Sequence, residues 1–575
     1  MPRLRRRLRP FSAVALACAA VLSAGVADTV ADVDADTAAD TAADADTDVL
    51  FLGAHPDDEY QSLATFGQWR QRDGLRTAVA TVTRGEGGGN AVGPQEGRAL
   101  GLVREREERA AVARAGIGRV HYFGKPDSWY TLSAPLVARL WNHDDALSRA
   151  VRLVRATRPE TVVTMEPRPF DNHGAHQEAA RLAVEAFRLA GDPRAFPEQL
   201  TAEGGLDPWR PRTLLAQHWL YEGPVGPRCA DPGVRGERGE RRDPRSGLPV
   251  TGVWTGTWAR RSPDGGRTTW AQVERDAARA YRTQGFGALD PVVRTPRERL
   301  PCEWFTVLAR DGAPVRATVR PQRGLRPLYR EFRDWAARQG MPWLANGAQP
   351  RYPAPPSAVL PRAAREPGTD GRAGEGEYAG APRIRLGHWQ GSGRCRAARD
   401  CAGTVRAVRY AGALHVLFDV TDDKRGAALA RSDCARHWRT DAVEIALDPR
   451  GTADDTATTL KLAVLPFTSD SPHGSGPPCA ARDADHRQGP ARTTAPGVRV
   501  ASRVSAPYRG YTVEVRIPLR VLPAPVDPDR VRANFLLYDS DTRDRTGQVR
   551  LAWSAFGSAQ ADPYAWGRVR LADAL

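Results

Sequence analysis

Lysine is almost missing from this 575-residue chain: Lys125, Lys424 and Lys461 are the only three among 83 basic residues. Arginine therefore carries nearly all the positive charge. The formal net charge is +15, and five of those charges are Arg3, Arg5, Arg6, Arg7 and Arg9, so the rest of the chain carries ten. No basic helix or interleaved aromatic platform accompanies the surplus, which argues against nucleic acid as a partner. Acidic cell-surface polymers stay compatible with it. Long apolar runs are lacking too. The longest, near the start, has about 14 residues against the roughly 20 a membrane span needs. No Cys-x-x-Cys pair occurs, so a structural zinc knuckle is not expected.

What is there begins with "MPRLRRRLRPFSAVALACAAVLSAGVA". An Arg-rich start, an apolar stretch and a small-residue end at Ala27 predict a secretory signal over 1–27, hence a secreted chain. Cys18, after Leu16 and Ala17, leaves a lipoprotein site as the minor alternative. Residues 28–47 form an acidic, low-complexity spacer expected to be disordered. Without Cys18, six cysteines remain, an even number in a chain expected to be exported, which suggests three disulfides. Six cysteines allow 15 connectivities. Pairing by domain favours Cys229–Cys302, Cys395–Cys401 and Cys434–Cys479.

The length implies two or three domains. From Val49 short apolar strands alternate with helical patterns: "DVLFLGA", "RTAVATVT", "RVHYFG" and "ETVVTMEP" are the strands. That alternation predicts an α/β Rossmann-like domain over 48–310, with a mostly parallel sheet and helices on both faces. Residues 311–382 read as one amphipathic helix followed by a Pro/Gly-rich linker. After them, short strands such as "ALHVLFDV", "DAVEIALD" and "YTVEVRIPL" predict an all-β sandwich over 383–575.

The chemistry concentrates at "VLFLGAHPDDEYQS", residues 49–62. An apolar strand runs into one imidazole and three carboxylates, which repel unless a cation or proton is shared among them. Imidazole with carboxylate is a ligand set for zinc or another divalent ion. The second half of a site lies in "RPFDNHGAHQEAARLAVEA", where His173 and His176 are three apart at a helix start and share a face. Both motifs follow strands, and ligands of such sheets gather at the strands' carboxyl ends. His55, Asp58 and His176 are therefore expected to bind the metal, with water at an open position. Asp57 is the expected general base for that water, and His173 the group that stabilises an oxyanion or acts as acid. The plainer alternative is that Asp57 or Asp58 caps the next helix.

These residues resemble the PIG-L/LmbE-like metal-dependent N-deacetylases. The resemblance rests on "AHPDDE" after an apolar strand and a distant His-x-x-His. "VTRGEGGG", "REREERAAVARAGI", "YFGKPDSW", "ERDAARAYRTQ" and "CEWFTVL" support it across about 48–310. It implies a Rossmann-like fold, zinc, and removal of acyl groups from amino sugars. It also implies His55, Asp58 and His176 as ligands, Asp57 as base and His173 as assistant. The second motif departs from the family's common His-Pro-Asp-His. Ala175 lacks the carboxylate, and Asp171 is a candidate substitute. Residues 383–575 resemble family-nine-like, DOMON-like carbohydrate-binding modules, through "DAVEIALDP", "KLAVLP", "YTVEVRIPL" and "DPYAWGRVRL". Trp389, Trp438, Trp553 and Trp566 are candidate sugar-stacking rings, Trp438 and Trp553 the two singled out, against a core role for each.

The expected function is a secreted zinc-dependent hydrolase that removes an N-acetyl group from an amino sugar or glycan. The alternatives are a glycan-binding protein with a relict hydrolase domain, or an amidase acting on another N-acyl substrate.

Overall fold

The computed structural model describes residues 47–128, 130–169, 172–201, 205–218, 223–229, 241–243, 247–261, 266–317, 326–346, 348–349, 353–372, 374, 376–390, 395–542, 549–554 and 561–572. The expected signal, the acidic spacer before Thr47, and Asp171 lie outside the described residues.

The first half of the chain runs β1 (Val49–Gly53), α1 (Leu63–Asp73), β2 (Thr77–Thr81), α2 (Gly97–Arg114), β3 (Arg119–Tyr122), α3 (Ala134–Trp141), α4 (His143–Thr157), β4 (Thr161–Thr164), α5 (Gly174–Leu189) and β5 (Thr213–Gln217). Then come β6 (Arg241–Arg242), β7 (Pro249–Trp254), α6 (Trp270–Ala278), β8 (Cys302–Arg310) and β9 (Ala313–Pro314). Among the described residues these nine strands form one sheet in the order β3-β2-β1-β4-β5-β8-β7-β6, with β9 beside β8. Strand β1 is buried at every position. It lies between β2 and β4, parallel to both. A strand so enclosed can be apolar without alternation, which is why Val-Leu-Phe-Leu-Gly carries no polar residue. Helices α1, α2 and α6 pack together as one set and α3, α4 and α5 as another.

The sheet is less parallel than the sequence predicts. Pairing is parallel from β3 through β5. It is antiparallel for β5–β8, β8–β7, β7–β6 and β8–β9, so the sheet is mixed. The centre of β8 is buried, and a buried apolar run reads the same in either direction.

Within the stretch read as helix and linker, α7 (Arg330–Arg338) puts Phe332 and Trp335 into the first core. The strand Ser357–Leu360 pairs with Gly567–Leu571 in the second half. That second half is the expected sandwich. One sheet is ordered Ile384–Leu386, Cys401–Tyr410, Ala413–Asp422, Gly510–Pro518, Arg499–Val504. The other centres on Ala442–Asp448, between Val531–Asp539 and Leu460–Leu465. Val405, Val416, Phe418, Val443, Ile445, Val513 and Phe535 fill the space between them. The three disulfides are Cys229–Cys302, Cys395–Cys401 and Cys434–Cys479, as the sequence predicts.

Helix α5 carries the second histidine motif, and α4 helps to hold it. His143 contacts Glu178 Oε1 through Nδ1 at 2.6 Å and Glu185 Oε2 through Nε2 at 3.1 Å. Trp335 donates to the other Glu185 oxygen at 2.8 Å. The hydrogen bond to Glu178, then that to Glu185, raise the pKa of His143 from 6.5 to about 10. A pKa raised on folding gives stability that is full below pH 6.5 and lost as pH rises through about 10. His143→Gln is therefore expected to melt below the parent chain at pH 6, with the gap closing as pH passes about 10. Melting curves across that range check it; an unchanged gap would remove the charge from its role.

Candidate metal centre

The chain order at β1 and β4 reverses the direction in which the sheet grows, and the crevice at such a point collects ligands. His55 leaves the end of β1. His173 and His176 open α5, just beyond β4. The ring centroids of His55 lie 5.0 Å from both other histidines, which are 3.6 Å from each other. Ring nitrogens of all three come within 4.8 Å of one another, a spacing that can hold a metal ion.

Asp58 fastens the group. Its Oδ2 accepts the backbone N–H of Ala54 at 2.6 Å and of His55 at 2.8 Å. Its Oδ1 lies 3.1 Å from His176 Nε2. It caps no helix: it bonds backwards along the chain, and Ser62, the residue before α1, makes no side-chain cap. The tautomer of His176 follows from its neighbour. Asn172 donates Nδ2–H to the Glu166 carbonyl at 2.9 Å, so its Oδ1 is the acceptor that faces His176 Nδ1 at 2.8 Å. With Nδ1 protonated, the second ring nitrogen presents a lone pair to a carboxylate oxygen. Two lone pairs at that distance need a cation between them, either a proton or a metal. The donor set of imidazoles and carboxylate suits zinc or a similar ion.

The electrostatics make the same demand. Burial favours a neutral His55, but Asp127, Asp58 and Asp57 prevail and raise its pKa to about 9. Burial and the neighbouring His176 and His55 push His173 well down, so that ring is neutral. Despite burial, His176 and His55 hold Asp58 below the usual carboxylate range. Burial, followed by Asp58, pushes Asp57 well up.

The three carboxylates of the first motif separate. Asp58 faces the imidazoles. Asp57 sits at φ 118°, a conformation that disfavours every residue with a Cβ. Glu59 is fully buried and turns away to accept from the Tyr281 hydroxyl. Burial and Glu108 raise its pKa well above the usual value.

Sequence reasoning passed over several residues here. Asp127 lies 3.3 Å from His55 Nε2 through Oδ1 and accepts from Gly87 N–H at 3.0 Å through Oδ2. Arg104 donates to the carbonyls of Gly85 at 2.5 Å and Gly89 at 2.8 Å. Asn172 and Tyr281 complete the support. Asp127 stood in a quoted motif, but only the fold reveals its partner. In the sandwich, Trp553 is 7% exposed and packs on Phe535 at 5.8 Å, so it is a core residue. Its ring occupies the space a Cβ at residue 567 would need. Trp566 is fully buried. Trp438 is half-buried under the Arg439 guanidinium, and Trp389 is 41% exposed.

Fold and site together define an α/β protein with a candidate metal centre, joined to a β-sandwich. Residues 50–187 match the family described as GlcNAc-PI de-N-acetylase, and residues 369–574 the family described as carbohydrate family 9 binding domain-like. The chain thus combines a PIG-L-type domain with a carbohydrate-binding-module-like domain. It is similar to a 1D-myo-inositol 2-acetamido-2-deoxy-alpha-D-glucopyranoside deacetylase of Thermobispora bispora, 32% identical over 29% of this chain and 57% of that protein. A Streptomyces avermitilis protein of the same name is 29% identical over 42% of this chain and 83% of its own length. The likeness to a family 9 carbohydrate-binding module of Caldicellulosiruptor kristjanssonii is slight: 15% identity and a TM-score of 0.28, over 38% of this chain and 97% of that one. No helix among the described residues is long and apolar enough to cross a membrane.

Zinc titration with a competing chelator tests the centre. His55→Ala and Asp58→Ala are expected to abolish tight binding. Asn172→Ala is expected to weaken it by about 10–100-fold, the usual effect of removing a partner that orients a ligand. Asp57→Asn should leave it unchanged.

Proposed function

We propose that this chain is an exported, metal-dependent hydrolase that removes the N-acetyl group of an amino sugar. One observation carries the reading: His176 Nε2 and Asp58 Oδ1 face each other at 3.1 Å beside His55 and His173, an arrangement that calls for a cation. His55, Asp58 and His176 would hold it, with His173 as the neighbouring imidazole, and zinc suits that set. When bound, a divalent ion supplies Lewis acidity that makes a water acidic and an amide carbonyl electrophilic.

The chain's own residues do the rest. Asp57 is the carboxylate that neither fastens the strand end nor turns into the core. Its raised proton affinity suits it to take a proton from attacking water and return it to the leaving amine. Its left-handed backbone fixes where that carboxylate stands. His173, neutral in its buried setting, can donate an N–H to the oxyanion that develops as the amide carbon becomes tetrahedral.

The substrate class rests on the relatives named above, which are deacetylases of an acetamido sugar, and on the carbohydrate-module-like sandwich. Three disulfides support an oxidising location outside the cell.

The test is acetate release by the full chain loaded with zinc, from N-acetylglucosamine, its short oligomers and inositol glycosides. Activity is expected on at least one, falling with longer acyl chains. Asp57→Ala should keep its metal and lose about 10²–10⁴ in kcat. No release from any acetamido sugar, with metal bound, would overturn the reading. Preference for long acyl chains would move it to another class of amide.

A further inference from the structure

The sandwich touches two segments that flank the candidate metal centre. The first contact comes from the turn Arg431–Arg439 between its strands. Two ties make that turn rigid: the Cys434–Cys479 disulfide, and His437 Nε2 on Glu444 at 2.9 Å. Glu444 is itself buried, taking a hydrogen bond from Tyr538 at 2.7 Å and pairing with the Lys461 ammonium at 3.3 Å. At the end of the turn Arg439, 4% exposed, passes over the Trp438 ring and reaches the first half of the chain. It donates to the Gly88 carbonyl at 2.7 Å and pairs with Glu96 at 2.5 Å. Arg436 reaches the other Glu96 oxygen at 3.5 Å.

Gly88 belongs to the loop between β2 and α2. Arg104 holds that loop from inside, through Gly85 and Gly89. One step away, Gly87 N–H meets Asp127, which touches His55. A Cβ at residue 87 would lie 2.9 Å from the Asp127 carbonyl oxygen, so the loop can approach only as glycine. The loop is therefore gripped by two arginines, one from each half of the chain, and its inner side bears on the centre.

The second contact comes from Thr456. Its hydroxyl meets that of Thr131 at 2.6 Å, with both residues fully buried. The neighbouring Asp455 carboxylate accepts the N–H of Ala457 at 2.7 Å and so fixes the turn that carries Thr456. The Thr131 carbonyl receives the N–H of Gly174, the first residue of α5. Tyr130, before it, packs its ring 5.3 Å from His173. Each arm of the sandwich thus ends a short chain of contacts from a histidine of the centre.

We propose that the β-sandwich is a structural part of the active centre, with Arg439 and Thr456 as positioning residues. They hold the 84–90 loop and the 130–133 turn against the histidine cluster. The role assigned to catalysis rests on the hydrolase reading; the brace itself does not.

The test uses the full chain and two independent readouts. The first is amide hydrogen exchange of the 84–96 and 130–133 segments. The second is kcat and KM for acetate release. Arg439→Gln is expected to speed exchange in 84–96 by about tenfold or more, the factor one charge-assisted hydrogen bond supplies. It should lower kcat/KM by about 10–100-fold, as misplacement near a reacting centre does. Arg439→Lys should recover part of both, since an ammonium lacks the fork that serves Gly88 and Glu96 together. Thr456→Val should speed exchange in 130–133. Arg516→Gln, which breaks a pair with Glu366 elsewhere on the sandwich, should change nothing. Unchanged exchange in both segments overturns the proposal, as does an unchanged kcat/KM in both variants. If Arg439→Gln fails to fold, Thr456→Val and Arg439→Lys decide. A parent chain that releases no acetate overturns the hydrolase reading alone, and exchange then decides the brace.

Discussion

A single carboxylate sets the geometry from which the rest of the centre follows. Asp58 spends one oxygen on two consecutive backbone N–H groups and turns the other to His176. A buried, ionised carboxylate costs several kcal/mol unless paired and hydrogen-bonded, and this one has both kinds of partner. The chain must double back sharply after β1 to let residue 58 reach residues 54 and 55. Gly53 permits that return, since a Cβ there would lie 2.9 Å from the Asp58 Cβ. The same return forces Asp57 into its left-handed conformation and rotates Glu59 into the core. Three adjacent acids therefore acquire three environments: Asp58 beside an imidazole, Asp57 half-buried on a left-handed backbone, and Glu59 buried beside a tyrosine. Because β1 is enclosed by β2 and β4, it cannot shift to relieve the turn, and the strain stays beside the histidines.

How much of this was legible depends on whether the information was local. The His-Pro-Asp-Asp-Glu string, the two histidines on one helix turn and the alternation of strand and helix each lie within a few residues, and all three read through. So did the sandwich and the disulfide pairs. Strand direction did not, because Cys302–Arg310 is buried like the parallel strands and carries no sign of its orientation. Asp127, Arg104 and Tyr281 gain their meaning only from partners 15 to 222 positions away. Trp553 lies in a short segment between turns, where a core ring and a binding ring look alike. Asn172 had one usable signal: its place just before the second motif, four residues from His176.

The stretch between the halves changes what a carbohydrate-binding-like module can do here. A module on a flexible linker raises the effective concentration of enzyme near its glycan without altering the enzyme. In this chain the intervening residues are tied to both halves. Helix α7 packs in the first core and pairs Glu331 with Arg181 at 2.8 Å and 2.9 Å. Arg326 pairs with Asp562 and lies 4.3 Å over the Tyr564 ring, and Tyr564 donates to Asp454 at 2.8 Å. Several of these contacts are charged hydrogen bonds with buried partners, which tolerate little play. A docked module presents its surface at a fixed place relative to the centre, so the two surfaces are geometrically linked.

The scarcity of lysine then has a structural side. A guanidinium offers five donors in a planar fork, whereas an ammonium offers three around a point. Arg155, 1% exposed, gathers the carbonyls of Ala190, Asp192, Ala195 and Phe196 together with the Gln199 amide oxygen. Arg104 spans two carbonyls of one loop, and Arg168 holds Glu166 with two parallel bonds of 2.7 Å and 2.6 Å. Arg439 joins a carbonyl to a carboxylate across the two halves. Each of these positions asks one side chain to fix two or more acceptors at set angles. Lysine at any of them would leave a buried carbonyl or carboxylate short of a donor, at a cost of about 1–3 kcal/mol per group. Lys461, by contrast, faces a single carboxylate oxygen of Glu444, a task a point charge can perform. At Arg104 and Arg439 this use of arginine ties down the loop that leads through Asp127 to His55.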